Sequence, residues 1–449
     1  MQALTNALIY TVDEAFNTYL NGTIVFDKTI IAVGPADEID IPTDAQVIDA
    51  KGRYAILPGL IDCHTHSSLL KGYSENAQLM DWLPAYQREH QALTPEHAYY
   101  AFMVTYLESL KGGVTQVMDM YRHLQQSAKV AAELGMRVHL VPYASDHETK
   151  TFFETLETTE ALIQQCHNQR EGMTKVWMGL EHITYCSETM FRAARELADQ
   201  YQIHIHTHTS EQQEEVAVVQ QLFGNRPVHK FNDWGILKPG SVLAHCVWLD
   251  DAEIAVLADT GTGVAHCPTS NMKLASGAAP LLDFFAAGIT VGLGSDGGIS
   301  NNSLDMFECM KMSSLLQKVT HLDATAVTAE QALRMATSDA AKLLNTDATT
   351  GSLSAGKQAD VILVDLWQPH LLPIAQPPAD ETEPHDPVLW NLVFAARASD
   401  VKHVWVKGKQ VIRDGYSTQV DEAAMLKAIN SATIDLLQHR SRFKAIPMV

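Results

Sequence analysis

Between residues 55 and 295 the chain carries eight short apolar runs, at 55–62, 114–118, 137–143, 176–182, 203–208, 241–245, 263–266 and 289–295. Helical patterns such as 95–111, 188–200 and 252–259 fall between them. Short apolar runs alternating with helices mark βα units and a parallel sheet, and eight such units close into a barrel. The expected fold is α/β, a (β/α)8 TIM barrel.

Outside that array the chain is β-rich. Runs at 7–12, 23–26 and 29–33, with turn signals at Asn21-Gly22 and Asp27-Lys28, open the chain. Others follow at 359–366, 403–406 and 410–413, the last two joined by a tight turn near Gly408-Lys409. Together the two ends are expected to build a small β-sandwich flanking the barrel. The expected domains are therefore 1–56 plus 358–419 for the sandwich, 57–357 for the barrel, and 420–449 as a C-terminal helical segment. Ala424, Leu426, Ile429, Ile434 and Leu437 give that last segment an apolar spacing suited to docking on the barrel or on a second subunit. The stretch 368–387, rich in Pro and acids, reads as a surface loop.

The formal charge of −21 excludes a phosphate-backbone partner, because nucleic-acid binding depends on Lys and Arg displacing counterions. A small neutral or cationic substrate fits better. The six cysteines lie apart without a CxxC pair, which points to reduced thiols and a cytoplasmic protein. Neither a secretion signal nor a membrane span is expected.

Polar residues stand where the apolar runs end. His64 and His66 follow the first, His182 ends the fourth, His208 the fifth and His245 the sixth, and Asp296 follows the eighth. In a barrel all these ends open on one face, so residues distant in sequence converge there. His64-Thr65-His66 can direct two imidazoles at one ion. In the run His204-Ile205-His206-Thr207-His208 the strand period puts three imidazoles on one face, and His208, nearest the strand end, is the candidate ligand. His204 and His206 then read as buried, hydrogen-bonded supports. Asp296 supplies an oxygen ligand, and three histidines with one carboxylate leave room for a water, as in a catalytic metal site. Glu211, three residues past His208, either shuttles protons or is a solvated acid of the stretch 211–215. Lys273 is expected to order a loop, and Trp405 to be sheet core.

These residues sit in segments that resemble the amidohydrolase superfamily almost end to end: LPGLIDCHTHSSLLKGY, MDWL, HTHTSE, LAHCVWLDDAEI, HCPTSNMKLASGAAPL, GLGSDGGISNNSLDMFECM and DPVLWNLVFAARASDVKHVWVKGKQVIRDG. Within it the chain is similar to methylthioadenosine and S-adenosylhomocysteine deaminases and to related guanine deaminases and triazine hydrolases (chlorohydrolases). The resemblance implies one divalent metal, zinc first and iron, manganese or nickel otherwise, on His64, His66, His208 and Asp296. It implies proton and hydrogen-bond work for Glu211, His245 and Asp296, and a substrate pocket lined by His182, Glu211, His245 and Trp82. It also implies a dimer or tetramer, and hydrolytic deamination of an amino-substituted heterocycle, first among them an adenine nucleoside. Deamination of a free base or pterin, amino- or chloro-triazine hydrolysis and a non-catalytic barrel scaffold are the alternatives. Two departures stand out. Glu181 precedes the pocket histidine where that branch usually has Pro, and 84–91 lacks the Trp-Pro-x-Glu pattern whose acid resembles a ribose clamp. Glu89 and Gln91 are the residues open to take its place.

Overall fold

Gly59 divides the first expected barrel strand in two. In the computed structural model, which describes residues 1–77, 79–374 and 386–446, Tyr54–Pro58 pairs antiparallel with Val361–Asp365, whereas Leu60–Thr65 opens a parallel sheet. Gly59 N donates to Asp360 O and Leu60 N to Gly113 O, each at 2.9 Å, so the pairing partner changes within one peptide. A Cβ on Gly59 would meet Thr115 Oγ1 at 2.2 Å, which is why the switch falls on glycine. The run 55–62 is thus not one strand, because apolar content alone does not reveal where a strand changes sheets. Residues 375–385 of the expected surface loop lie outside the described residues.

The described chain divides into two compact units, one of Met1–Asp62, Glu108–Gln116 and Asp305–Val420 and the other of Cys63–Leu107, Val117–Leu304 and Asp421–Val449. The first holds a nine-stranded sheet that joins strands from both chain ends through the pairing of Tyr54–Pro58 with Val361–Asp365. Three strands lie between Thr18–Phe26 and Val401–Val406 in that sheet, yet Phe26 and Trp405 meet edge to face at 6.0 Å. The sheet therefore curls around one core, and Trp405 is buried in it, as expected. Asn21-Gly22 proves not to be a turn. It lies inside the strand Thr18–Phe26, where a Cβ on Gly22 would meet Ile9 Cδ1 at 2.7 Å. Close packing, rather than turn geometry, selects that glycine.

Two further sheets are parallel, and apart from residues 60–62 and 114–116 their strands fall in the second unit. One sheet orders Leu60–Thr65, Val114–Tyr121, Arg137–Pro142 and Thr174–Val176; the other orders Met178–Leu180, Ile205–Thr209, Val242–His245, Gly263–His266 and Val291–Leu293. The fourth expected strand is interrupted at Trp177, whose N–H donates to Leu140 O at 2.9 Å. At the other junction Asp296 N donates to His64 O at 2.9 Å, linking the last strand position to the first. Burial is continuous along these strands except at Lys175, as it is when both faces are covered. The helix Glu422–Arg440 falls in this unit. Among the described residues no helix is long and apolar enough to cross a membrane, and no disulfide joins the six buried cysteines.

Candidate active site

Every candidate residue but Trp82, which lies on the helix Leu79–Ala92, sits at or just past the carboxyl end of a parallel strand. His64 lies on Leu60–Thr65 with His66 just past it, His206 and His208 lie on Ile205–Thr209, and His245 ends Val242–His245. Asp296 and His182 follow Val291–Leu293 and Met178–Leu180. His64, His66, His182, His208, Glu211, His245, Asp296 and Trp82 are all at most 6% exposed. His245 and Asp296 adopt left-handed backbone at φ 72° and 59°. Non-glycine residues rarely hold that conformation, and where they do it tends to mark functional positions.

Hydrogen bonds fix the tautomers. His66 Nδ1 lies 2.7 Å from Met120 O and His208 Nδ1 lies 2.6 Å from Glu181 O; a carbonyl only accepts, so both nitrogens carry hydrogen. His206 Nδ1 likewise donates to Val242 O at 3.1 Å, which leaves its Nε2 to accept from His64 Nδ1 at 2.8 Å. The Nε2 atoms of His64, His66 and His208 thereby keep their lone pairs; those of His64 and His66 face Asp296, and His208 Nε2 faces His66 Nε2. His66 Nε2 is 3.2 Å from His208 Nε2 and 3.4 Å from Asp296 Oδ1, and His64 Nε2 is 3.8 Å from that oxygen.

Lone pairs at that separation repel unless a cation sits among them. Tetrahedral zinc, with bonds of about 2.0–2.1 Å, sets its ligands roughly 3.4 Å apart. The donor set therefore fits a divalent metal, and both His64, His66, Asp296 and His64, His208, His245 are spaced to hold one. Burial and the neighbouring imidazoles push His64 and His208 well below the ordinary imidazole range, which keeps them ready to ligate. Burial opposes the charge of Asp296, but His66, His245, the Ser270 hydroxyl and Gly297 N–H hold its carboxyl below the usual value. Ser270 Oγ donates to Asp296 Oδ2 at 2.6 Å and Gly297 N to Oδ1 at 2.7 Å.

Beside this cluster lies a second group. Glu211 accepts from Ser276 Oγ at 3.0 Å and stands 3.7 Å from His245 Nε2. Burial, and then the charge of Asp296, push its carboxyl up to about 7. It is not a solvated acid: Glu215 folds back to accept from Ser210 N at 3.1 Å and Glu211 N at 2.9 Å, burying the turn. Trp82 stacks on Tyr86 at 5.0 Å, and both line the pocket with His66, His182, His208, Glu211, His245 and Asp296. His206 supports His64, whereas His204, expected as a buried support, is only partly buried and packs tilted against Trp177 at 5.0 Å. Lys273 bonds Glu75 and Ile299 O at 3.1 and 3.0 Å, tying loops together.

Neither Glu89 nor Gln91 is among the described residues that line the pocket. Glu89 accepts from Ser68 Oγ at 2.9 Å and Tyr121 Oη at 3.0 Å, and Gln91 donates to Lys444 O at 3.1 Å. Tyr143, Ser270, Asn271 and Ser276 carry no signal of their own in the sequence, and Glu181 stands out there only as a departure before His182. Asn271 Nδ2 contacts His245 Nδ1 at 3.1 Å and Tyr143 Oη contacts His66 Nδ1 at 2.8 Å. The segment HCPTSNMKLASG, already notable as a motif, was the signal for three of them.

A barrel of this topology with buried histidines and an aspartate at one end defines a class of metal-site hydrolases. The chain belongs to the amidohydrolase family, whose sequence profile matches residues 55–411. It is 34% identical over 441 residues to 5'-deoxyadenosine deaminase of Methanosarcina mazei, covering 97% of this chain and 98% of that one. It is 37% identical over 399 residues to 5-methylthioadenosine/S-adenosylhomocysteine deaminase of Moorella thermoacetica, covering 88% and 90%. The crystal structure of an adenosine deaminase from Xanthomonas campestris with bound zinc superposes with a TM-score of 0.89 at 28% identity, covering 97% and 98%. The fold is accordingly the expected (β/α)8 barrel with a β-sandwich.

Proposed function

We propose that the protein is a metal-dependent hydrolytic deaminase of an amino-substituted nitrogen heterocycle, with an adenine nucleoside such as 5'-deoxyadenosine, methylthioadenosine or S-adenosylhomocysteine as substrate. The observation that carries the reading is Glu211, a buried carboxyl pushed up to about 7 beside His245 and Asp296, in a chain whose full-length relatives bear such names. Expelling ammonia needs a proton donor, and a carboxyl pushed up to about 7 keeps a large share of its protons near neutral pH.

His64, His66, His208 and Asp296 would hold the metal, zinc first. When bound, such an ion polarises water so that it can act as a nucleophile near neutral pH. Asp296, anchored by Ser270 and Gly297, takes the proton of the attacking water. His245, turned by Asn271, orients that water through Nε2. Glu211 passes its proton to the ring nitrogen as the water oxygen bonds to the adjacent carbon; Asp296 then gives the proton it took to the exocyclic amine, the C–N bond breaks with release of ammonia, and the new hydroxyl returns its proton to Glu211 as the carbonyl forms. His182 and Trp82, both on the pocket wall, hold the heterocycle.

The commitments of Glu89 and Gln91 favour one second reading, a substrate without ribose. Ammonia release by the zinc-loaded protein decides between them, assayed on adenosine, 5'-deoxyadenosine, methylthioadenosine and S-adenosylhomocysteine against guanine, cytosine, pterins and amino-triazines, with Asp296→Ala as blank. Turnover of the nucleosides supports the first reading. Release from the bases or triazines alone replaces it with the second, and release from none removes both. We further place the protein in the cytoplasm as a dimer or tetramer, with the sandwich, barrel and C-terminal segment as its domains; light scattering tests the assembly.

A further inference from the structure

Glu181 is buried in the pocket wall and takes no part in the proton movements above. Its carboxylate Oε2 lies 2.7 Å from His182 Nδ1, and its carbonyl accepts from His208 Nδ1 at 2.6 Å. Its own N–H donates to Ala144 O at 3.0 Å, so the backbone on either side of the carboxylate is pinned. The rings of His182 and His208 stack at 4.5 Å with 9° between their planes. A carboxylate only accepts, so His182 Nδ1 carries hydrogen and Nε2 is the atom left for a ligand. Turning the ring over would bring a carbon to Glu181 and strand a buried carboxylate. One residue thus sets two histidines, His208 through its main chain and His182 through its side chain.

The geometry points to Glu181 as a positioning residue that holds His182 in one orientation, and so selects heterocycles presenting a polar ring-edge atom to His182 Nε2. The substrate half of this inference rests on the deaminase reading; the pairing itself does not.

The experiment compares Glu181→Leu, Glu181→Gln, His182→Phe and the double variant Glu181→Leu/His182→Phe. The best nucleoside and its single-position deaza analogues serve as substrates, and zinc content is measured throughout. Glu181→Leu is expected to raise KM about tenfold to a hundredfold, the usual cost of removing a partner that orients a ligand-holding histidine, with a smaller change in kcat. Glutamine still accepts from Nδ1–H, so Glu181→Gln should stay within about threefold of the parent. In the His182→Phe background, Glu181→Leu should add nothing. One deaza analogue should lose its sensitivity to Glu181→Leu, which identifies the atom read. Equal impairment of the Leu and Gln variants, multiplying effects in the double variant, or zinc loss in Glu181→Leu alone would overturn the assignment. Nitrogen-15 spectra of the His182 ring, assigned by its disappearance in His182→Phe, give a readout independent of turnover. Nδ1 should be protonated in the parent and the Gln variant and lose that preference in the Leu variant. If no heterocycle is turned over, the deaminase reading fails, and the spectra still decide whether Glu181 orients His182.

Discussion

His206 stands one step behind the cluster and sets the tautomer of a residue inside it. Its bond from Val242 O through both ring nitrogens to His64 Nδ1 leaves His64 Nε2 as a lone pair. His206→Leu should therefore weaken zinc binding about 10–100-fold, measured by competition with a chelating dye, without removing a ligand. Unchanged affinity would dismiss the relay. The strand period made three imidazoles on one face legible in the run 204–208. It could not show that His206 lies level with His64, because depth depends on the neighbouring strand. Glu211 was legible by position and illegible by burial, since a stretch with acids at 211, 214 and 215 looks solvated until Glu215 is seen capping Ser210 and Glu211. As proton donor, Glu211 should be far more sensitive than a structural acid. Glu211→Gln is expected to lower kcat about 10²–10⁴-fold with zinc retained, checked by ammonia release and metal analysis on the same sample.

Elements were legible where one period ran without interruption and obscure where a strand changed partners. The histidine-bearing strands Ile205–Thr209 and Val242–His245 follow their sequence runs closely, whereas Tyr54–Pro58 and Leu60–Thr65 read as one strand because both are apolar. The information lay in the glycine between them. Gly59→Ala would force a Cβ against Thr115 Oγ1, and the expected loss is about 1–3 kcal/mol of stability, read as a lower midpoint in urea. A neutral outcome would mean that the two strands separate more easily than the contact implies. The C-terminal helix was legible as a helix but not in the face it buries: of the apolar positions expected to dock only Ile429 is buried, with Ala432 and Leu436, whereas Leu426 and Ile434 are exposed. Arg440 Nη2 donates to Ala85 O at 3.3 Å and Arg88 Nε to Phe443 O at 3.0 Å, which ties the chain end to the helix Leu79–Ala92 that bears Trp82 and Tyr86. Arg440→Ala should raise KM more than it lowers kcat, because each lost bond of about 0.5–1.5 kcal/mol loosens a pocket wall rather than the proton donors. Steady-state kinetics on the best substrate check this, and a fall in kcat at constant KM would argue against it.

At the scale of the molecule, the barrel unit buries many titratable groups, and their signs fix how stability responds to pH. His64, His90, His139, His206, His208, His245 and His266 are all pushed below the ordinary imidazole range, burial being the largest cause, with His206 down to about 3 and His266 to about 4. Unfolded imidazoles gain protons below about pH 6.5 and these folded ones do not, so each subtracts about 1.4 kcal/mol per pH unit as the pH falls through that window. Four carboxyls act oppositely. Burial raises Glu89 and Glu211 to about 7, Asp119 to about 6, and Glu215 above its ordinary value. They bind protons in the folded state first, so they add stability as the pH falls toward about 4.5 and nothing further below it. Seven imidazoles outweigh four carboxyls between those limits, and below about 4.5 they act unopposed. The metal-free protein should therefore be most stable near pH 6.5 and lose stability as the pH falls, more steeply below about 4.5 than above it. Zinc binds only the folded cluster, and protons compete poorly for His64 and His208, so the gain in midpoint on adding zinc should persist at about pH 5.5. Thermal scans from pH 4 to 8, with chelator and with zinc, measure both curves. A zinc gain already lost by about pH 6.5 would mean that the ligands titrate as exposed histidines do, contrary to their burial.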